Sequence, residues 1–288
     1  MIQLQHLAIA PAQISAQQIA LTTAQQHYLG RVLRLRAGDR FIAIDGKGHW
    51  WLSVLTSGLA AEILEPIQAQ TELPISVTLL IALPKTGMDD VVRQATELGV
   101  TQIVPILSDR TVLNPSSQKR DRWQRIAQEA AEQSERQIIP DVMAPKSWAE
   151  ALQIWNSENS ICYICAERSG RSPLLQALES VREQDLSQHR PVELSAELSS
   201  LEPIALEPIA LEPIALEPIA LEPIASAITI ATGCEGGWTD SEIAQAIALG
   251  YQPVSLGTRI LRAITAPLVA LSLVASVFEA MPPPDKTI

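Results

Sequence analysis

Residues 227–267 read AITIATGCEGGWTDSEIAQAIALGYQPVSLGTRILRAITAP, and this stretch constrains the fold more than any other. The β-branched run Ile228-Thr229-Ile230 predicts a strand, which ends in the turn Gly233-Cys234-Glu235-Gly236-Gly237. Thr239 and Glu242 have the spacing of a capping box, in which each side chain satisfies an orphan amide, so a helix starts there. Ile243, Ala246, Ile247 and Ala248 give that helix an apolar face, and Gly250 sits where a C-cap belongs. A second short strand over 253–256 leads into Gly257 and the run Arg259-Ile260-Leu261-Arg262. Strand, turn, helix, strand, turn and helix make an α/β unit whose ligand contacts fall at the carboxyl ends of its strands. Two glycine turns at adjacent strand ends let backbone amides and carbonyls approach a ligand unshielded. The turn is neither a Walker A loop nor a GxGxxG fingerprint, and an ordinary tight turn with packing glycines stays open beside a ligand site.

Residues 1–72 read as a small β-rich module with one helix over 24–35, for which Thr23 is the expected N-cap. Arg31 and Arg34 would share a face of it, with Arg36 and Arg40 in the turn that follows. The Asp45-Gly46 turn between 41–44 and 50–55 signals a hairpin. These arginines, with His49 and Trp50 available for stacking, fit a nucleic-acid surface as well as a solvated basic face. Residues 65–74 read as a linker. The almost entirely apolar run 75–82 predicts a strand covered on both faces. A helix over 88–98, a strand over 102–107 and a helix over 118–136 follow, placing Asp109-Arg110 just past a strand end. Lys119, Arg120, Arg122 and Arg125 crowd the start of the last helix, where the dipole disfavours cations. A strand over 160–167 and a helix over 173–183 precede five copies of Leu-Glu-Pro-Ile-Ala at 201–225, whose prolines suit neither helix nor sheet. The apolar run 263–278 is too short and alanine-rich for a membrane span and reads as a buried helix.

A net charge of −11 argues against a nucleic-acid partner until its placement is examined. Ten of the 32 acidic residues and two of the 21 basic ones lie in 179–225; elsewhere 22 acidic residues face 19 basic ones. Residues 1–60 carry five basic residues against two acidic ones. Cys162, Cys165 and Cys234 make no disulfide framework, and Cys162 and Cys165 sit three apart in a strand, facing opposite sides. His6, His27, His49 and His189 suggest no metal cluster, and the opening MIQLQHLAIAP lacks the marks of a signal peptide.

The pattern GxEGGW followed by SLGxRILRAxTA resembles the closing motifs of the SPOUT methyltransferases. Met88-Asp89, the run Ala95 to Val100, Pro105, Ser108-Asp109-Arg110-Thr111, Arg122-Trp123, the run Glu129 to Ser134, Arg136 and Pro140 extend the likeness over most of the chain. The match is to the ribosomal RNA small subunit methyltransferase E family, which makes N3-methyluridine in 16S rRNA. The resemblance implies a PUA-like RNA-binding β-barrel at 1–72 and a SPOUT-type α/β trefoil-knot domain at 73–288, interrupted by the repeat insert at about 186–225. It further implies S-adenosyl-L-methionine as cofactor, 16S rRNA or the small ribosomal subunit as partner, a homodimer, a cytoplasmic location, and neither membrane nor metal. By motif, Thr232, Gly233, Glu235, Gly236, Leu256, Gly257, Ile260 and Leu261 would hold the cofactor. Arg110, Glu235 and Arg262 would serve the chemistry, and Arg31, Arg34, Arg36 and Arg122 the RNA. The chain departs from the family pattern at Cys234, usually proline, and at Ile264, usually glutamate. Three readings follow: an rRNA uridine methyltransferase, which is favoured; a catalytically impaired RNA-binding homologue of that fold; and an unrelated nucleotide-binding α/β enzyme.

Overall fold

The computed structural model describes residues 4–56, 60–113, 115–155, 160–166, 171–188 and 227–279. The pentapeptide repeat and most of the insert lie outside them.

The first sheet collects β1 (His6–Ala8), β2 (Ile14–Ser15), β3 (Gln18–Ala20), β4 (Arg40–Ile44), β5 (Trp50–Leu55) and β6 (Ala60–Ile67) in the order β1-β4-β5-β6-β3-β2. Only β1 against β4 is parallel. Leu7, Ile9, Ile19, Leu21, Leu29, Phe41, Ala43 and Ala61 fill its core. Residues 65–67, expected as linker, belong to β6, where Pro66 lies opposite Trp51. The helix expected over 24–35 is shorter. Thr22, not Thr23, caps α1 (Thr23–His27): its hydroxyl accepts from the Gln25 amide at 3.2 Å, while the Gln25 side chain takes the Thr22 amide at 2.8 Å. A single π-turn over Tyr28–Val32 follows, and Arg34 then turns left-handed at φ 59°. Arg31 and Arg34 therefore share no helical face.

The second sheet is parallel throughout. It contains β7 (Ser76–Ala82), β8 (Gln102–Leu107), β9 (Asp141–Val142), β10 (Lys146–Ser147), β11 (Ser160–Cys165), β12 (Ala227–Thr232) and β13 (Gln252–Val254). Its order is β10-β8-β7-β12-β11-β13, with β9 also against β8. The interior strands β7 and β12 are apolar on both faces because helices cover both. One face carries α2 (Met88–Glu97), α3 (Ser117–Gln133), α5 (Leu174–Gln188) and α7 (Ala266–Phe278). The other carries α4 (Trp148–Ile154) and α6 (Asp240–Ala248). Cys162 and Cys165 fall on opposite faces, as their spacing requires. On α6 the buried residues are Glu242 and Ala246, whereas Ile247, 49% exposed, and Ala248, both expected inside, face outward.

The main departure concerns strand order. The strands that carry the two glycine turns are not neighbours: β11 lies between β12 and β13. Strand adjacency is a long-range property that the alternation of elements does not encode. After β13 the chain turns back. Ser255 bonds to the connection leaving β11, through Ser255 N to Ser172 O at 3.1 Å and Leu174 N to Ser255 O at 3.0 Å. Ile264 then packs on Gly87, and α7 settles against α5 and α2.

Candidate cofactor and RNA site

Four chain segments enclose a cavity of about 320 Å³ at the carboxyl ends of the parallel strands. The first is the turn after β12. It closes with Gly237 N donating to Cys234 O at 2.9 Å, and Gly237 takes φ 67°. A Cβ on Gly233 would stand 3.2 Å from Gly237 Cα, so the turn folds onto itself there. Trp238, stacked on Trp148 at 4.3 Å, backs it. The capping box forms as its spacing requires, and Glu242 also accepts the Asp109 amide at 2.9 Å, tying α6 to the end of β8.

The second segment follows β13. Gly257 takes φ 115°, and a Cβ there would meet no atom within 4 Å. The third is the end of β11, Cys165 and Ala166, with Arg171 from the connection beyond. Burial pushes the Cys165 thiol up to about 12, so the thiol adds no charge to that wall. Arg110, past β8, is the fourth: its Nη1 donates to the Gly236 carbonyl. Among the described residues, Arg110, Arg171 and Arg259 face this space against one carboxylate, that of Asp240.

Of the residues selected from sequence, Gly233, Gly236, Leu256, Gly257, Ile260, Leu261 and Arg110 line the cavity. Thr232 is fully buried at the end of β12, its hydroxyl unpartnered among the described residues. Glu235 turns away: its two carboxylate oxygens accept the Lys85 amide at 3.0 and 3.3 Å, clasping the turn to the chain after β7. Arg262 is exposed outside the lining, and its carbonyl receives the Thr265 and Ala266 amides. Sequence reasoning missed Cys165, Arg171, Trp238 and Asp240. Trp238 closes the GxEGGW motif without having been given a role, and Asp240 stands two residues past it; the other two required knowledge that β11 lies in the middle.

The chemistry of the lining suits an adenosyl ligand. Buried donors without partners, Arg171 Nη1 and Trp238 Nε1, await acceptors, and the open quarter at Gly257 is one that a side chain would fill. Leu256, Ile260 and Leu261 offer apolar contact, Ile260 being 60% exposed.

Arg31, Arg34, Arg36 and Arg40 are exposed on the first sheet's side of the molecule. Trp50, expected as a stacking platform, is buried against His6. The accessible pair is His49 over Trp51, with ring centroids 5.8 Å apart and planes 20° from parallel. Burial alone would raise the Asp45 carboxyl, but hydrogen bonds from the Lys47 amide and from the His49 ring and amide hold it below its ordinary value. Arg122 pairs with Asp89 at 2.7 Å while its side chain stays 61% exposed, and Trp123 Nε1 donates to the other Asp89 oxygen at 3.0 Å.

Residues 71–194 and 189–275 match the profile of an RNA methyltransferase domain, and residues 21–60 that of an RNA methyltransferase PUA domain. The chain is 42% identical to the ribosomal RNA small subunit methyltransferase E of Synechocystis over 278 residues, covering 95% of this chain and 78% of that one. It belongs to the ribosomal RNA small subunit methyltransferase E family. The Bacillus subtilis member is 29% identical, with 89% of each chain covered. The Neisseria gonorrhoeae member, solved bound to S-adenosyl methionine, superimposes with a TM-score of 0.72 at 28% identity, covering 96% of this chain and 98% of that one. Within the methyltransferase E family the parallel sheet is the SPOUT trefoil-knot domain and the first sheet the PUA-like one. Among the described residues no helix is long and apolar enough to cross a membrane.

Proposed function

We propose that this protein methylates N3 of a uridine in the 16S rRNA of the small ribosomal subunit, with S-adenosyl-L-methionine as donor. In this reading it works in the cytoplasm as a homodimer. Residues 1–72 grip RNA through Arg31, Arg34 and Arg36, and residues 73–288 hold the cofactor. The observation that carries the reading is the cavity, in which two glycine turns and the Gly236-anchored Arg110 meet.

When bound, the cofactor supplies an electrophilic methyl group on a sulfonium centre. The backbone of Gly233, Gly236 and Gly257 would take its polar edges, and Leu256, Ile260 and Leu261 its apolar faces. The uracil N3 must lose a proton and gain a methyl, so negative charge spreads over its flanking oxygens. Arg110 serves that charge, because its tether to Gly236 occupies Nη1 and leaves Nε and Nη2 to donate. Fixing the guanidinium beforehand removes a reorganisation cost at the moment of transfer. Exposed Arg259 and Arg262 stand at the mouth for phosphates. Glu235, for which the sequence left open a proton acceptor or an amide-capping carboxylate, accepts the Lys85 amide and holds the turn in place.

The test compares 16S rRNA by mass spectrometry from cells with and without the protein. N3-methyluridine should vanish on deletion, return with the wild type, and return far more slowly with Arg110→Ala. In vitro that variant should bind cofactor normally and transfer methyl about 100-fold more slowly. Tight cofactor binding with N3-methyluridine unchanged on deletion would mean a catalytically impaired RNA-binding relative instead.

A further inference from the structure

Arg171 leaves the end of β11 and enters the cavity wall that its sequence position did not announce. Its Nη1 is buried, yet it has no hydrogen-bond partner among the described residues. Other arginines of the chain are satisfied differently. Arg136 is bonded to the Thr96 and Val100 carbonyls and to Glu72, Arg110 to the Gly236 carbonyl, and Arg122 to Asp89. A buried cationic donor left unpaired is costly, so an acceptor with negative charge is missing from this picture.

We infer that Arg171 binds the carboxylate of the methionine end of S-adenosylmethionine, an inference that rests on the cofactor reading above. A phosphate of bound RNA is the other oxyanion available, but RNA phosphates reach exposed cations, and Arg110, Arg259 and Arg262 supply those at the surface. A nitrogen buried in the cavity wall is met only by what enters the cavity. Of the cofactor's groups, the carboxylate alone is anionic. The methionine end is a zwitterion, and the lining matches both halves: Arg171 for the carboxylate and Asp240, the single carboxylate side chain among its described residues, for the ammonium. Arg171 thereby selects the intact cofactor over analogues that lack the acid.

Calorimetry on the full-length chain tests this with S-adenosylmethionine and its decarboxylated analogue, which lacks only the carboxylate. The wild type should bind the intact cofactor roughly 10- to 100-fold more tightly than the analogue. Arg171→Ala should lose that margin by weakening the intact cofactor alone, while Arg171→Lys restores part of it. Unchanged binding of the analogue shows that the variant is folded. Equal loss for both ligands, or a wild type that does not distinguish them, overturns the inference. So does an alanine variant with unaltered cofactor affinity and a raised KM for rRNA, which would assign Arg171 to phosphate. A wild type that binds neither ligand would instead overturn the cofactor reading itself.

Discussion

At Glu242 a single buried carboxylate receives three donors: the Thr239 amide at 2.8 Å, the Thr239 hydroxyl at 3.1 Å and the Asp109 amide at 2.9 Å. Glu242→Ala leaves both amides unmet, the hydroxyl keeping Asp109 Oδ2 at 3.2 Å, and removes half of a capping box, so urea titration should show about 2–3 kcal/mol less stability. Gly257 has a different sensitivity. Valine there would have to adopt φ 115° and would project into open cavity, so Gly257→Val should abolish cofactor binding in calorimetry while the chain still unfolds cooperatively. How far such residues could be read from sequence depends on where their partners lie. The Thr239–Glu242 box was legible because it spans three positions. Glu235 was not, because the Lys85 amide that occupies it lies 150 positions away. The same holds for the setting of Arg122: its charge was visible, but its ion pair with Asp89, 33 positions away, was not.

Among the elements, α3 joins the two sheets through Glu132, whose Oε1 accepts the Ala8 amide of β1 at 2.8 Å and the Gln128 side chain at 3.2 Å. Burial raises this carboxyl above its ordinary value of 4.5, and Glu129 adds to the effect, more than the two hydrogen bonds lower it. The sign follows from linkage. The acid is harder to ionise folded than unfolded, so its unfavourable contribution is absent below 4.5 and develops as pH rises through the folded value. Glu132→Gln keeps a carbonyl acceptor for Ala8 and removes the charge. It should therefore melt higher than the wild type at pH 7.5 and match it below about pH 4, as thermal denaturation across that range would show. Element types were legible wherever apolar runs were long, as in β7, β8, β12 and α7. Helix 24–35 was overextended because Arg34 satisfies helical spacing in sequence but sits left-handed in space. The order of strands was not legible, and with it went the wall that β11 contributes.

Across the whole molecule, charge is distributed by region and the net value misleads. The exposed arginines at 31, 34 and 36 lie in a stretch of positive balance, while acidity gathers in 179–225. If these three arginines meet rRNA phosphates, replacing them with alanine should flatten the plot of log affinity against log salt by about one unit per lost contact. Cofactor affinity should stay unchanged; filter binding and calorimetry read the two separately. The cavity is drawn from Arg110, from Cys165, Ala166 and Arg171, from residues 233–243 and from residues 255–266, so among the described residues no contiguous segment holds more than one of its walls. A polypeptide emerging from its translation tunnel makes those walls one after another and encloses the cavity only when residues 255–266 arrive. Nascent chains are thus blind to the cofactor until that segment has been made, and the methyl donor becomes a reporter of folding, engaging only molecules that have already closed.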